Sequence, residues 1–302
     1  MTKKKNLNIA EIISTVILAL ALVVMMIYVI SIFALVMFGL MNSFKTPIQF
    51  SDATLGFPPG SIFEWEWKNY AVAFEALQAP YGTTQLTVKF PEQLFNSVMY
   101  SAGCAFFATF IPCITAYACA KFPYKLSKFI YALVIIVMGL PIVGALPSEI
   151  VMAKKLGLYD HIWGTWIMKA NFLGTYFIVF HATFETLPND FAEAAKIDGA
   201  NHFDILFQII LPMVRNTFFV IMLLKFIEFW NDYQTVMIYL PKHPTAAYGV
   251  VYASMVSKYD SPMIWPTMRI TGAMILLLPV LTVFLCFHSR IIGNVSMGGI
   301  KE

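Results

Sequence analysis

The sequence predicts an all-α, polytopic membrane protein with six transmembrane helices, and its composition and apolar runs carry that prediction. Of the 302 residues, 59% are hydrophobic and only 12% are charged. A soluble domain carries about 25% charged residues, so this chain lacks the polar surface that a water-soluble globule needs. Its apolar runs approach or exceed the length of about 20 residues with which a helix crosses a bilayer.

The six helices are predicted to follow one another in a single domain covering residues 1–302. We expect them at residues 12–40, 95–120, 129–152, 162–184, 217–240 and 264–287. The first run resembles a signal peptide because three lysines precede it. It is too long for one, however, and no cleavage pattern of small residues follows it, so we expect it to be retained.

Lysine-rich segments predict the orientation of the chain. Residues 3–5 are all lysine, and the short linker after the second helix contains Lys121, Lys125 and Lys128. Cytoplasmic loops are enriched in Lys and Arg, so we expect both segments in the cytoplasm. An even number of spans then leaves both termini on the cytoplasmic side, with outer loops at 41–94 and 241–263.

Residues 189–212 form the polar segment that precedes the fifth membrane helix, and its first half predicts a short helix. Pro188 should end the fourth helix, because proline lacks a backbone donor and clashes with the preceding turn. Asp190 and Glu193 have the spacing of a capping box, with Asp in place of Ser or Thr. We therefore expect a helix at 191–197.

The second half of this segment predicts a sharp turn and another short helix. Gly199 suits the position of positive φ that follows a helix. Asn201 and Asp204 repeat the cap spacing, and apolar residues then recur at helical intervals up to Pro212. By periodicity alone, the segment fits an ordinary interfacial linker as well as a docking element.

The residue types in this segment resemble the EAA loop of bacterial binding-protein-dependent ABC permeases of the carbohydrate type. The run from Glu193 to Ala200 reads EAAKIDGA, followed by Leu211 and Pro212. Other short motifs of that family have similar counterparts along most of the chain: Asn69-Tyr70 with Phe74, Phe95-Asn96-Ser97, residues 116–122, Leu156-Gly157-Leu158, Trp230-Asn231-Asp232, and the tail Gly298-Gly299-Ile300-Lys301, which resembles that of the maltose-type second permease.

The resemblance implies a permease subunit in a bacterial cytoplasmic membrane, and not an enzyme. Its implied partners are a second, non-identical permease subunit, two cytoplasmic ATPases, an extracytoplasmic substrate-binding protein and the lipid bilayer, with no nucleic acid. ATP and Mg would be bound by the ATPases, and this chain would bind no cofactor or metal. The residues that would couple to the ATPase are Glu193, Ala194, Ala195, Asp198, Gly199 and Ala200.

The fifth predicted helix contains polar and charged residues. Because charge inside a membrane is energetically costly, such residues indicate a functional or structural role. We expect the following residues to line a translocation path: Lys225, Glu228, Phe229, Trp230, Asn231 and Tyr233. Lys225 and Glu228 stand three residues apart, so the alternative for this pair is an internal salt bridge that fixes packing against neighbouring helices. Lys169 either snorkels to the interface or contributes to a path for acidic saccharides.

Three classes of function remain open at this point. The resemblance implies ATP-driven import of a sugar or oligosaccharide. The sequence contains no G-x-x-x-x-G-K-[ST] phosphate loop, so ATP hydrolysis would belong to another subunit. An ion-gradient-driven secondary transporter is the main alternative; it would require midplane ionisable residues and inverted repeats, and no repeat is evident. A membrane receptor or scaffold is the third.

Overall fold

A computed structural model describes the backbone of residues 9–122, 124–140, 144–255 and 261–295, and the side chains within 13–287 of those ranges. The lysines at 3–5 and the tail motif at 298–301 lie outside it. The described chain is mostly helical, with one short antiparallel pair, β1 (Ala79–Pro80) and β2 (Thr87–Val88). Its α-helices are α1 (Ile9–Ser43), α2 (Pro47–Asp52), α3 (Lys68–Ala76), α4 (Phe90–Lys121), α5 (Lys125–Gly139), α6 (Leu146–Lys155), α7 (Ile162–Lys169), α8 (Thr175–Glu185), α9 (Asp190–Ile197), α10 (His202–Asp204), α11 (Leu211–Trp230), α12 (Tyr233–Tyr239), α13 (Ala246–Met255) and α14 (Pro266–Val295).

Four helical segments within the described residues have the length and composition to cross a membrane. They are Ile13–Ser43, Phe90–Lys121, His202–Trp230 and Pro266–Phe287. Most side chains along the first are exposed within this chain, as expected of a helix whose neighbours are lipid or another subunit. The multi-pass membrane character predicted from composition is therefore supported by the helices themselves.

Three of the six predicted helices are divided in the structure. The run at 129–152 becomes α5 and α6, the run at 162–184 becomes α7 and α8, and the run at 217–240 becomes α11 and α12. The last break has a clear cause: the side chain of Asp232 accepts a hydrogen bond from the amide of Thr235 and begins a new helix. Apolar content alone did not reveal these interruptions.

The chain divides into two compact units, of which the first contains the described residues up to Phe74 and those from 261 to Ile275. In this unit the loop after α1 is closely held. Asn69 donates to the carbonyl oxygens of Ser43 and Lys45 at 2.9 and 3.0 Å. The ammonium of Lys45 is buried and donates to Asn42 and Ala53 at 2.8 and 2.7 Å. Burial lowers the pKa of Lys45 below its ordinary value.

The second unit contains the described residues from Glu75 to 255 and from Leu276 onward. Its centre is α4, against which α7, α8 and α11 pack. One apolar cluster joins one end of α4 to α8 and α11, with Cys113, Phe180 and Ile221 among its members. A second cluster surrounds Tyr100, whose hydroxyl donates to Asp232 at 2.9 Å. These two clusters hold α4 against α7, α8 and α11.

Candidate functional site

The segment between α8 and α11 contains a tight elbow at Gly199, as the sequence predicts. Gly199 has φ +85°, in the left-handed region that glycine adopts without a steric penalty. The amide of Ala200 donates to the carbonyl of Ala195 at 2.9 Å, and the amide of Gly199 donates to that of Lys196 at 3.1 Å. This pair of bonds is a Schellman motif, so the end of α9 is defined by its own backbone.

The start of α9 differs from the prediction. Asp190 is the first helical residue, Asn189 occupies the N-cap position in a helical conformation, and no side chain caps the helix. The predicted capping box of Asp190 and Glu193 is therefore wrong. The side-chain oxygen of Asn189 instead accepts a hydrogen bond from Lys121 at 2.9 Å, and Lys121 also donates to the carbonyl of Leu187 at 2.7 Å. A lysine at the end of α4 thus holds the entry to α9.

The helix after the elbow begins at the predicted cap but is not a separate short helix. Asn201 accepts bonds from the amides of Phe203 and Asp204, and Asp204 accepts one from the Asn201 amide. A π-helical turn, Ile205–Ile210, then joins α10 directly to α11. The elbow is therefore continuous with a helix long enough to cross a membrane.

The elbow has a buried inner face and an exposed outer face. Ala195 and residues of the π-helical turn, including Ile205, are buried in the cluster that also contains α4 and α8 residues. On the other side, Ile197 and Phe203 are 86% and 74% exposed. The predicted coupling residues Glu193, Ala194, Asp198 and Gly199 are exposed, Ala200 is half-buried, and Ala195 is buried.

A cleft of about 400 Å³ lies between α4, α7, α8 and α11. It occupies the break between α7 and α8. Its described lining residues are Ala108, Pro112, Lys169, Asn171, Phe172, Leu173, Gly174, Thr175, Tyr176, Phe177, Lys225, Glu228 and Phe229. The charged groups among them are two lysines and one glutamate, so the cleft carries an excess of positive charge.

Lys225 and Glu228 form the predicted ion pair inside this cleft. Their Nζ and Oε2 atoms are 2.8 Å apart, with the lysine side chain 18% exposed and the glutamate side chain 55% exposed. The ammonium of Lys225 also lies 5.0 Å from the ring centroid of Tyr176 and 5.7 Å from that of Phe229, within the range of cation–π attraction. Lys225 therefore packs against the rings of Tyr176 and Phe229, while the side chain of Glu228 is largely exposed.

The predicted path residues separate into two groups. Lys225, Glu228 and Phe229 line the cleft. Trp230 is buried and donates from its indole to the carbonyl of Leu276 at 3.2 Å. The remaining two, Asn231 and Tyr233, flank the α11–α12 break outside the cleft lining.

Several lining residues were not predicted from the sequence. Asn171, Phe172 and Thr175 line the cleft because α7 ends at Lys169 and α8 begins only at Thr175. The glycine at 174, a poor helix former inside an apolar run, was the available signal. In the ranges that the structure describes, no group of three or more His, Cys, Asp or Glu side chains is placed to hold a metal ion.

The structure thus combines a cleft among packed helices with an elbow continuous with a helix long enough to cross a membrane. Comparison with known proteins gives the class of this chain. Residues 108–292 match the family described as the inner membrane component of binding-protein-dependent transport systems. The match covers more than half of the chain, so the chain belongs to this family. It is a permease subunit of an ABC transporter and not an enzyme, and this family membership argues against the alternative of an ion-gradient-driven transporter.

Individual relatives are similar along most of their length. The chain is 24% identical over 267 residues to the diacetylchitobiose uptake system permease protein NgcG of Streptomyces coelicolor, covering 86% of this chain and 81% of that protein. It is 24% identical over 208 residues to the arabinooligosaccharides transport system permease protein AraQ of Bacillus subtilis, covering 68% and 72%. A crystal structure of a bacterial ABC transporter involved in the import of the acidic polysaccharide alginate has the same fold, with a TM-score of 0.68 at 20% identity over 95% of this chain and 99% of that chain.

Proposed function

We propose that this chain forms half of the translocation path of an ATP-driven importer for a sugar or oligosaccharide. The other half would be a second, non-identical permease, and an extracytoplasmic binding protein would deliver the substrate. The relatives named above transport diacetylchitobiose and arabinooligosaccharides, and the structural neighbour belongs to an alginate importer. These substrates share hydroxyl groups and sugar ring faces, which aromatic side chains with polar neighbours bind well.

The observation that carries the coupling part of this proposal is the exposed elbow. Glu193, Asp198 and Gly199 lie on its exposed face, and the helix that follows continues into α11 through the π-helical turn. We assign α9 and the Gly199 turn as the EAA coupling element that contacts a cytoplasmic ATPase. Closure of the paired ATPases would then move α11, which carries Lys225 and Glu228 of the cleft.

The same assignment implies a topology of six spans. Four are the long helical segments, and the other two would be the broken pairs α5–α6 and α7–α8. With the elbow in the cytoplasm, both termini would be cytoplasmic, and the loops at 41–94 and 241–263 would face the binding protein. Cysteine accessibility in intact cells tests this order: a cysteine replacing Asp198 should react only after permeabilisation, and one replacing Lys68 before it.

The coupling proposal is tested by purifying the tagged chain with its co-expressed transporter subunits and measuring ATPase recovery and sugar uptake. Glu193→Lys reverses a charge on the exposed face, and like-charge contact at an interface costs several kcal/mol. We expect at least about ten-fold less ATPase to be recovered, with membrane insertion intact. Asn201→Ser is the matched control in the same elbow, because Ser caps a helix as Asn does.

Two results would oppose the proposal. Full ATPase recovery with Glu193→Lys would contradict the proposal that the elbow contacts the ATPase. Sugar uptake that persists without any ATPase and collapses with an uncoupler would instead indicate a gradient-driven transporter.

A further inference from the structure

We propose that the cleft between α4, α7, α8 and α11 binds the negatively charged group of an acidic saccharide, such as the carboxylate of a uronic acid. This inference rests on the proposed sugar-permease function and adds the charge class of the substrate. It depends on Lys169 and Lys225, on the rings around them, and on the position of the cleft at the start of α8.

Among the residues that the structure describes, no carboxylate forms a salt bridge with Lys169. Its ammonium donates a long hydrogen bond to the hydroxyl of Thr235, at 3.4 Å, and lies 5.8 Å from the ring centroid of Phe229. A half-buried cation without a counterion is unfavourable in a membrane protein, and an anionic substrate would supply the missing charge.

Lys169 and Lys225 both line the cleft. Each ammonium lies within 5.8 Å of the ring centroid of Phe229, so the two are at most about twice that distance apart. Glu228 neutralises Lys225 and is itself largely exposed. The carboxylate of Asp232 accepts hydrogen bonds from the hydroxyl of Tyr100 and the amide of Thr235 and is not part of the cleft lining. Among the described lining residues, the two lysines therefore exceed the one glutamate by one positive charge.

The cleft also contains aromatic side chains that can contact a sugar ring. Phe172 and Tyr176 line it beside the lysines, and aromatic rings present a flat apolar surface to a sugar ring face. The start of α8 also lines the cleft, and no side chain caps that helix. Its first amides and the positive end of its dipole favour a nearby anion, which reinforces the lysines.

A neutral saccharide would gain the ring contacts and the hydrogen bonds of its hydroxyl groups from this site. A uronate would gain them and also form charge-assisted hydrogen bonds, which are about twice as strong as neutral ones. The cleft should therefore prefer the acidic form of a given sugar, and raising the salt concentration should weaken only that preference.

The test is ligand-observed NMR titration of the assembled transporter in lipid nanodiscs, without its binding protein. The probes are digalacturonate and its carboxyl-reduced, neutral counterpart. We expect the wild-type complex to bind digalacturonate at least about ten-fold more tightly than the neutral disaccharide, as one charge-assisted contact allows. Lys169→Gln should remove most of that preference.

Two further variants separate a binding role from a structural one. Glu228→Gln removes the carboxylate that competes for Lys225, so digalacturonate should bind more tightly, by about three- to ten-fold. Lys154→Gln is the matched control, because Lys154 lies 4.7 Å from the ring centroid of Tyr159 but outside the cleft. It should leave both affinities unchanged.

The outcomes distinguish this inference from the function on which it rests. Equal binding of the two disaccharides, or an undiminished preference in Lys169→Gln, overturns the proposal that the cleft binds an anionic group. ATP-dependent uptake of neutral sugars in the same experiments would still support the permease function. Weaker binding by Glu228→Gln, or no binding of digalacturonate by the wild-type complex, also overturns it. The permease function fails separately if the ATPase-dependent uptake assay above fails.

Discussion

Replacing Gly199 tests the elbow at the point where its geometry is most demanding. At φ +85°, an L-residue pays about 1–2 kcal/mol for the left-handed conformation. A Cβ at this position meets nothing within 4 Å, so no steric clash adds to that cost. If only the bent elbow binds the ATPase, Gly199→Ala should lower the apparent affinity by about 5- to 30-fold, the factor equivalent to this energy.

Different substitutions of Gly199 should weaken ATPase binding in a definite order. Asn visits the left-handed region more readily than Ala, so Gly199→Asn should be milder than Gly199→Ala. Gly199→Val should be more severe, because a β-branched residue is a genuine outlier at positive φ. Gly199→Pro should abolish binding, since proline holds φ near −65° and removes the amide that donates to Lys196.

The assay is the binding of the purified ATPase to the permease complex in nanodiscs, measured by biolayer interferometry for each variant. Gly157→Ala is the control: Gly157 has φ +69°, and a Cβ there also meets nothing within 4 Å, but it follows α6, away from the elbow. It should cost similar stability and leave ATPase affinity unchanged. Equal affinities across the Gly199 series, or tight binding by Gly199→Pro, would refute the reasoning.

Two other predictions concern the packing of α4 and the loop after α1. A Cβ at Gly103 would overlap the indole of Trp166, so Gly103→Ala should destabilise the complex by about 1–3 kcal/mol in thermal unfolding. Gly139→Ala, where a Cβ meets nothing within 4 Å, should be neutral or slightly stabilising, and equal effects of the two would contradict the packing. Lys45→Met leaves buried acceptors without a donor, which costs about 1–3 kcal/mol, so amide exchange across residues 45–54 should accelerate; exposed Lys68→Met should not change it.

Local signals in the elbow were readable from the sequence because short-range backbone chemistry decides them. Gly199 and the Asn201–Asp204 cap depend on neighbours within a few residues, and both occur as predicted. The Asp190 cap did not form. Asn189 takes the N-cap position there, and its side chain is held by Lys121, a residue 68 positions away that no local pattern identifies.

Helix continuity was harder to predict for the same reason. Apolar runs indicated membrane helices, but they do not distinguish one helix from two short ones packed in line. The break between α7 and α8 is formed where both pack on α4, so its position depends on contacts that are distant in sequence.

The sequence by itself determined that the chain is helical, spans a membrane and contains a glycine-bent elbow before its fifth apolar run. Hydropathy and backbone preference act locally, so a single sequence carries them. Only the tertiary structure decided that Lys169, Lys225 and the start of α8 line one cleft, and that Trp230 is buried instead. Those placements depend on which helix faces pack together, a choice made by complementary shapes across distant segments.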